Sequence, residues 1–184
     1  ANYLHEPGIL IAAHFDKDSN VEYFKKSREK FEQKIASGPM YANVEIVNLS
    51  SSFAEEESVD AVLTFRNLHN WLGPQMDSIF ANSYKALKPG GIFGVVEHRA
   101  NKGTSIKNMK KSGYVSEEHA IMVAKRHGFT LVAKSEINAN KKDTKDYPKG
   151  VWTLPPNLRL KTIDKEKYIA IGESDRMTLL FKKL

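Results

Sequence analysis

Apolar positions along the chain follow two rhythms: short unbroken runs, and stretches with one apolar face per helical turn. Residues 8–15 (GILIAAHF) form a nearly continuous apolar run after a Pro-Gly turn signal, which predicts a buried strand of a parallel sheet. Ser19-Asn20-Val21-Glu22 has the form of a capping box and predicts a helix start. Val21, Phe24, Phe31 and Ile35 then recur on one helical face until Gly38-Pro39 stops it. Strands follow over residues 43–49 and, past an acidic connection, 60–65. Pro74 and Asp77 mark the next helix, with Met76, Ile79, Phe80, Tyr84 and Leu87 on one face and Gly90-Gly91 closing it. A strand over residues 91–98 leads into a polar loop. Ser116, followed by Glu117 and Glu118, caps another helix that ends at Gly128. Strands over 129–137 and 176–184 flank a long polar excursion.

Strands thus alternate with helices until the end, where two strands occur without a helix between them. Alternating units require a parallel sheet covered on both faces, and the terminal pair predicts a reversed strand at one edge. No internal repeat or low-complexity tract interrupts this order. A chain of 184 residues is one domain's worth.

Composition narrows the chemistry. There is no cysteine, which removes disulfides, thiolate metal sites and a cysteine nucleophile. No apolar run approaches a membrane span. The formal charge of +6 lies mostly in the second half, in Lys102, Lys107, Lys110 and Lys111, then Lys141, Lys142, Lys145 and Lys149. Acids interleave the second group and no aromatic residues punctuate the first, so a solvated basic surface is favoured over a nucleic-acid track.

The segment NSYKALKPGGIFGVVEH (82–98) resembles the helix-to-fifth-strand junction of class I S-adenosylmethionine (SAM) dependent methyltransferases. SVDAVLTFRNLHNW resembles the family's fourth strand, and the terminal pair its reversed seventh strand. More narrowly, FRNLHNW, DTKDYPKGVWTLPP and GESDRMTLLFKKL are similar to a bacterial group of predicted methyltransferases without a settled substrate. The resemblance spans essentially the whole chain. It implies a Rossmann-like three-layer sandwich in strand order 3-2-1-4-5-7-6, mostly parallel, with SAM as cofactor.

The family's first strand and glycine-rich cofactor turn have no counterpart here. Gly90-Gly91 is the only adjacent pair among 11 glycines, and it belongs to the later junction. The resemblance makes residues 1–8 the end of the family's first helix, so the chain is expected to be an N-terminally incomplete single domain lacking the usual first strand. A gap is then expected between the strands at 8–15 and 60–65; direct pairing of those two is the less favoured alternative. Such a chain is expected to bind SAM weakly or not at all by itself. Open strand edges favour aggregation or self-association. The resemblance also implies an acid at the end of the family's second strand, where His14 and Phe15 stand with Asp16 after them. It implies an Asp near the adenine, where Ser50 and Ser51 stand.

Ligands of open α/β sheets bind outside the carboxyl ends of the strands. Two adjacent strands there deliver Arg66, Asn67, His69 and Asn70 from one, and Glu97, His98 and Arg99 from the other. Arg66 and Asn67 join His14, Phe15, Ser50 and Ser51 as candidate cofactor residues. Methyl transfer to a hydroxyl or amine benefits from a base with a near-neutral pKa. His69 is the first candidate and His98 the second, with Arg66 or Arg99 holding an anionic group of a small-molecule substrate. Structural hydrogen bonding is at least as good an account of each residue singly. Asn70, Trp71 and Trp152 could flank an acceptor, although packing is the favoured role for each tryptophan. His69, His98 and Glu97 fit a metal by ligand type but lack helical metal-binding spacing, and no metal is expected. His5, His119 and His127 read as surface or packing residues. Residues 100–114 and 138–172 are long for loops and could cover the site.

Three functions compete: methyl transfer to a small or medium substrate, a non-catalytic binding module on the same fold, and a nicotinamide-dependent oxidoreductase. The last requires a GxGxxG turn that is equally absent. The compartment is open between cytoplasm and periplasm, since some relatives look exported.

Overall fold

The structure, a computed structural model, describes residues 8–184. The expectations placed on residues 1–7, including His5, lie outside the described residues. The chain divides into two compact units, one up to Ser58 and one from Val59.

The first unit is a single βαβ. Strand β1 (Leu10–His14) pairs in parallel with β2 (Val44–Asn48), and helix α1 (Glu22–Ile35) connects them. Ser19 does not cap α1. Its hydroxyl accepts from the Val21 amide at 3.2 Å, and Val21 takes the cap position with no side-chain bond. The apolar face expected at Phe24, Phe31 and Ile35 carries Arg28 in its middle, and Arg28 is the buried residue of this helix. The guanidinium is satisfied where it lies, donating to the Phe15 carbonyl at 3.0 Å and to Asn48 and Glu32 side chains at 3.2 and 2.7 Å. A buried cation without such partners would be costly.

The second unit is built on a four-stranded sheet in the order β3-β4-β6-β5. Strand β3 (Val59–Phe65) runs parallel to β4 (Leu87–His98), while β6 (Arg176–Lys183) lies antiparallel between β4 and β5 (Phe129–Ser135). This is the order the resemblance implies for the fourth, fifth, seventh and sixth strands. The described strands of each unit form a sheet of their own.

Helix α3 (Pro74–Ala86) ends earlier than Gly90-Gly91 suggests. Pro89 disfavours a helical Lys88 and cannot donate into the helix. Leu87 instead pairs with Val59, the chain bulges through Gly90 at φ +81°, and pairing resumes at Ile92 opposite Ala61. A Cβ on Gly91 would stand 2.9 Å from the Lys88 carbonyl oxygen, so the bulge needs glycine there.

Alternation along β4 then places Phe93, Val95 and Glu97 on the covered face with Leu179, Phe181 and Met177 of β6. Phe80 of α3 meets Phe93 edge-on at 5.0 Å, and Phe129 lies 5.1 Å from the same ring. Helix α5 (Glu117–Arg126) packs beside them, with Ser116 capping it by accepting from the His119 amide at 3.3 Å as expected. The opposite face leaves Leu63, Phe65 and Ile92 exposed.

Both long loops prove structured. The first contains α4 (Ile106–Ser112), capped by Ser105 and ended by Gly113 in the left-handed conformation. The second contains a 3-10 turn at Gly150–Thr153 and helix α6 (Lys165–Ile171).

Candidate functional site

The carboxyl ends of β3 and β4 bring the expected pair of histidines together. Beyond Phe65 the chain turns through Arg66 in the left-handed region, φ +59°, with its amide held by the Val96 carbonyl at 2.7 Å. A short helix, α2 (Leu68–Trp71), follows and carries His69 over the end of β4. There the alternation of β4 has buried the Glu97 carboxylate completely. It accepts from the His69 amide at 3.2 Å and the His98 amide at 2.7 Å, and it lies 3.0 Å from Nδ1 of His69. A carboxylate only accepts, so Nδ1 carries the proton and Nε2 keeps the lone pair.

The His98 ring lies 5.4 Å from the His69 ring, with Nδ1 2.5 Å from the Ser174 hydroxyl. Burial lowers the His98 pKa to about 4, against an opposing pull from Glu97. The ring is therefore neutral at ordinary pH. His69, Glu97 and His98 offer one ligand atom each within 4.8 Å of one another, a set that suits a first-row metal by type. The carboxylate is already engaged by three protein donors, and a cation would have to displace the His69 bond.

Arg99 differs from its expected role as an anion ligand. Four of its N–H groups are taken: two by Asp175 at 3.1 and 2.9 Å, two by Glu136 at 2.8 and 2.6 Å. The Asn67 side chain donates to the Thr64 hydroxyl at 3.4 Å, while Arg66 and Asn70 are exposed. Trp71 is buried in the core, as its packing role predicts.

In the first unit, His14 stacks on Phe31 at 4.9 Å and its Nδ1 accepts from the Phe15 amide at 2.8 Å. Burial, then Arg28, lowers its pKa. Phe15 stacks on Phe24 at 4.2 Å. Ser51 donates to the Asn48 carbonyl at 3.1 Å, and Ser50 sits exposed in the same turn. Asp16, half-buried just past the end of β1, accepts from the Asp18 amide at 3.0 Å and keeps oxygen lone pairs for a hydroxyl. These groups suit the polar and planar parts of a nucleoside.

A cavity of about 590 Å³ opens in the second unit between α4 and the segment from Lys145 to Arg159. Lys111, Lys145, Lys149 and Arg159 line it, with Tyr114, Tyr147 and Trp152 among its walls. The sequence marks these lysines only as part of a dispersed basic surface. Trp152 belongs to both features, since it lines the cavity and meets the His69 ring edge-on at 6.0 Å. Behind it, the Tyr114 hydroxyl donates to buried Asp143 at 3.1 Å, and Asp143 accepts the Lys145 and Asp175 amides at 2.9 and 2.7 Å. Nothing in the sequence pattern marks Asp143 as the tie between these loops.

Residues 10–95 match a family described as a methyltransferase domain. No curated protein sequence matches the chain. Among solved structures, a protein of Galdieria sulphuraria assigned as a sarcosine dimethylglycine methyltransferase is 15% identical, with 89% of this chain and 66% of that one covered and a TM-score of 0.55. The [4+2]-cyclase SpnF is 18% identical, covering 85% and 60%, at 0.51. PigF with SAH is 15% identical, covering 97% and 50%, at 0.53. The chain spans under two thirds of the length of these proteins. Likeness at this identity is one of fold, and the fold of the second belongs to a protein named for a cycloaddition.

Proposed function

We propose that this chain is a member of the class I methyltransferase superfamily, a reading that its match over residues 10–95 and its fold support, and that it takes part in SAM-dependent methyl transfer to a small molecule. His69 is the base in this reading. The observation that carries it is the buried Glu97, which fixes His69 by both its amide and its Nδ1. Such a dyad sets the tautomer and leaves Nε2 to accept a proton.

SAM, when bound, supplies an electrophilic methyl on a sulfonium sulfur. Within the first unit, His14, Phe15, Ser50 and Ser51, with Asp16, are the residues offered to its nucleoside part. At the acceptor, His69 Nε2 takes the proton of the reacting O–H or N–H as its lone pair attacks. Glu97 then holds the resulting imidazolium at Nδ1. His98, neutral and tied to Ser174, adds no positive charge beside it. Trp152 limits water at the His69 edge.

Calorimetric titration of the full gene product with S-adenosylhomocysteine tests the reading, with saturable binding as the expected result. Absence of any saturable heat would falsify it. It would favour the second reading, a binding module on the same fold, which one observation supports: the end of β1 presents a histidine ring stacked on Phe31 where a ribose-binding acid is expected.

A further inference from the structure

We infer that the cavity between α4 and the Lys145–Arg159 segment is a binding site for a small aromatic oxyanion, a planar ring bearing a phosphate or carboxylate. Four cations line it and no carboxylate does. Lys145 has a partner in Asp175 at 2.9 Å. Among the described residues, Lys111, Lys149 and Arg159 have no carboxylate within salt-bridge distance. Cations converging on one concave wall repel each other and focus a positive potential into the space they enclose, which a bound anion relieves.

The aromatic part follows from the other wall. The Arg159 guanidinium lies 4.7 Å over the Trp152 ring, which steadies a flat cationic platform. Tyr147 faces the same space and is itself fixed, accepting from the Thr144 amide at 3.0 Å and meeting Tyr168 edge-on at 5.9 Å. A volume of about 590 Å³ is in the usual range for small-molecule sites and far too small for a folded partner.

The site is preformed rather than a gap between mobile loops. Gly150 lets the 3-10 turn lie directly on the end of α4, since a Cβ there would stand 2.1 Å from the Ser112 carbonyl oxygen. On the α4 side, a Cβ on Gly113 would stand 2.7 Å from Val151. The two segments thus lie in direct contact, backbone on backbone at Gly150 and backbone on side chain at Gly113, and a ligand need not order them before binding. Trp152 joins this cavity to His69, so the ligand is the natural methyl acceptor. That last identification rests on the methyl-transfer reading; the binding site itself does not.

The test is a calorimetric titration at low salt with phenyl phosphate, benzoate, inorganic phosphate and phenol. Phenyl phosphate or benzoate is expected to bind saturably, about tenfold or more tighter than phosphate or phenol alone, and to weaken as salt rises. The ratio between phenyl phosphate and benzoate distinguishes a phosphate from a carboxylate ligand. A Lys111→Gln, Lys149→Gln, Arg159→Gln variant is expected to lose at least about tenfold in affinity, while Lys102→Gln, Lys107→Gln outside the cavity is not. Absence of saturable binding by either aromatic anion, or equal binding by the triple variant, overturns the inference. A folded triple variant is confirmed by an unchanged thermal midpoint; should it unfold, Lys149→Gln alone serves, with a several-fold loss expected. Titration with S-adenosylhomocysteine is read separately. Its failure alongside retained phenyl phosphate binding removes the methyl-transfer reading and leaves the site standing.

Discussion

His69 Nδ1 lies 3.0 Å from Oε1 of Glu97, a carboxylate with no exposed surface at all. A buried acid of this kind is stable only because each of its hydrogen bonds is made. Removing one side of such a set leaves donors unsatisfied at about 1–3 kcal/mol each. Glu97→Gln keeps the volume but turns an N–H₂ toward the His69 and His98 amides. The expected outcome is a loss of about 1–3 kcal/mol in urea unfolding. An unfolding midpoint equal to the parent's would show that the carboxylate holds nothing in place.

The same pair sets the expectation for activity. His69→Gln is expected to lower methyl-transfer turnover by about 10²–10⁴-fold, the usual contribution of a positioned base, with binding of S-adenosylhomocysteine retained. Single-turnover rates across pH separate a base from a packing residue. A base restores part of the lost rate as hydroxide or an external imidazole is added, and a packing residue does not.

His98 makes acid stability measurable. Its pKa falls from 6.5 to about 4 chiefly because burial penalises the imidazolium; Glu97 opposes the fall, and the positive charges of Arg66 and Arg176 add to it. The unfolded chain therefore binds the proton first. Stabilisation from the neutral ring is complete above about pH 6.5 and is lost as pH falls through 4, by an amount on the order of 3 kcal/mol. His98→Gln is expected to flatten the unfolding free energy between those pH values. A parental slope in this variant would assign the acid sensitivity to other groups.

Gly150 tests whether the cavity walls are one packed unit. Alanine there meets the Ser112 carbonyl carbon and oxygen at 2.6 and 2.1 Å and must hold φ +56°. Gly150→Ala is expected to cost more than about 1 kcal/mol and to alter Trp152 fluorescence. Gly38→Ala is the control, because its added Cβ meets nothing within 4 Å and its φ of 174° is open to any residue.

Much of this was legible in the chain itself. The alternation of apolar runs with helical faces gave the elements, and the ALKPGG junction with the terminal strand pair gave their order. The convergence of His69 and His98 followed from adjacent parallel strands ending on one rim. Other features were hidden for physical reasons. Arg28 sits on an apolar helical face, where a cation looks misplaced until Phe15, Asn48 and Glu32 supply its acceptors. Helix α4 is mostly polar, and its register shows only in Ser105 and Gly113 at its two ends. Lys111 and Arg159 are far apart in sequence, and only the folding of two loops onto Asp143 brings them to one cavity.

Arg99 and Asp175 carry the last prediction, because their bond decides whether Arg99 is structural. Burial would raise the Asp175 pKa, yet hydrogen bonds from Arg99, Lys145 and the Asn140 amide hold it at about 2. A folded value below the ordinary 3.8 means that this stabilisation is present above about pH 4 and disappears as pH falls toward 2. Glu136 takes the other two N–H groups, so the guanidinium acts as a planar fork between two carboxylates. Arg99→Lys cannot reproduce a fork with a single ammonium. It is expected to lose most of what Arg99→Ala loses, and the Arg99→Ala, Asp175→Ala cycle is expected to give a coupling of about 0.5–3 kcal/mol at pH 7. Repeating the cycle near pH 2 should shrink that coupling, because Asp175 then takes up its proton in the folded chain. Full rescue by lysine, or additive single effects at pH 7, would return Arg99 to the pool of groups free to meet a ligand.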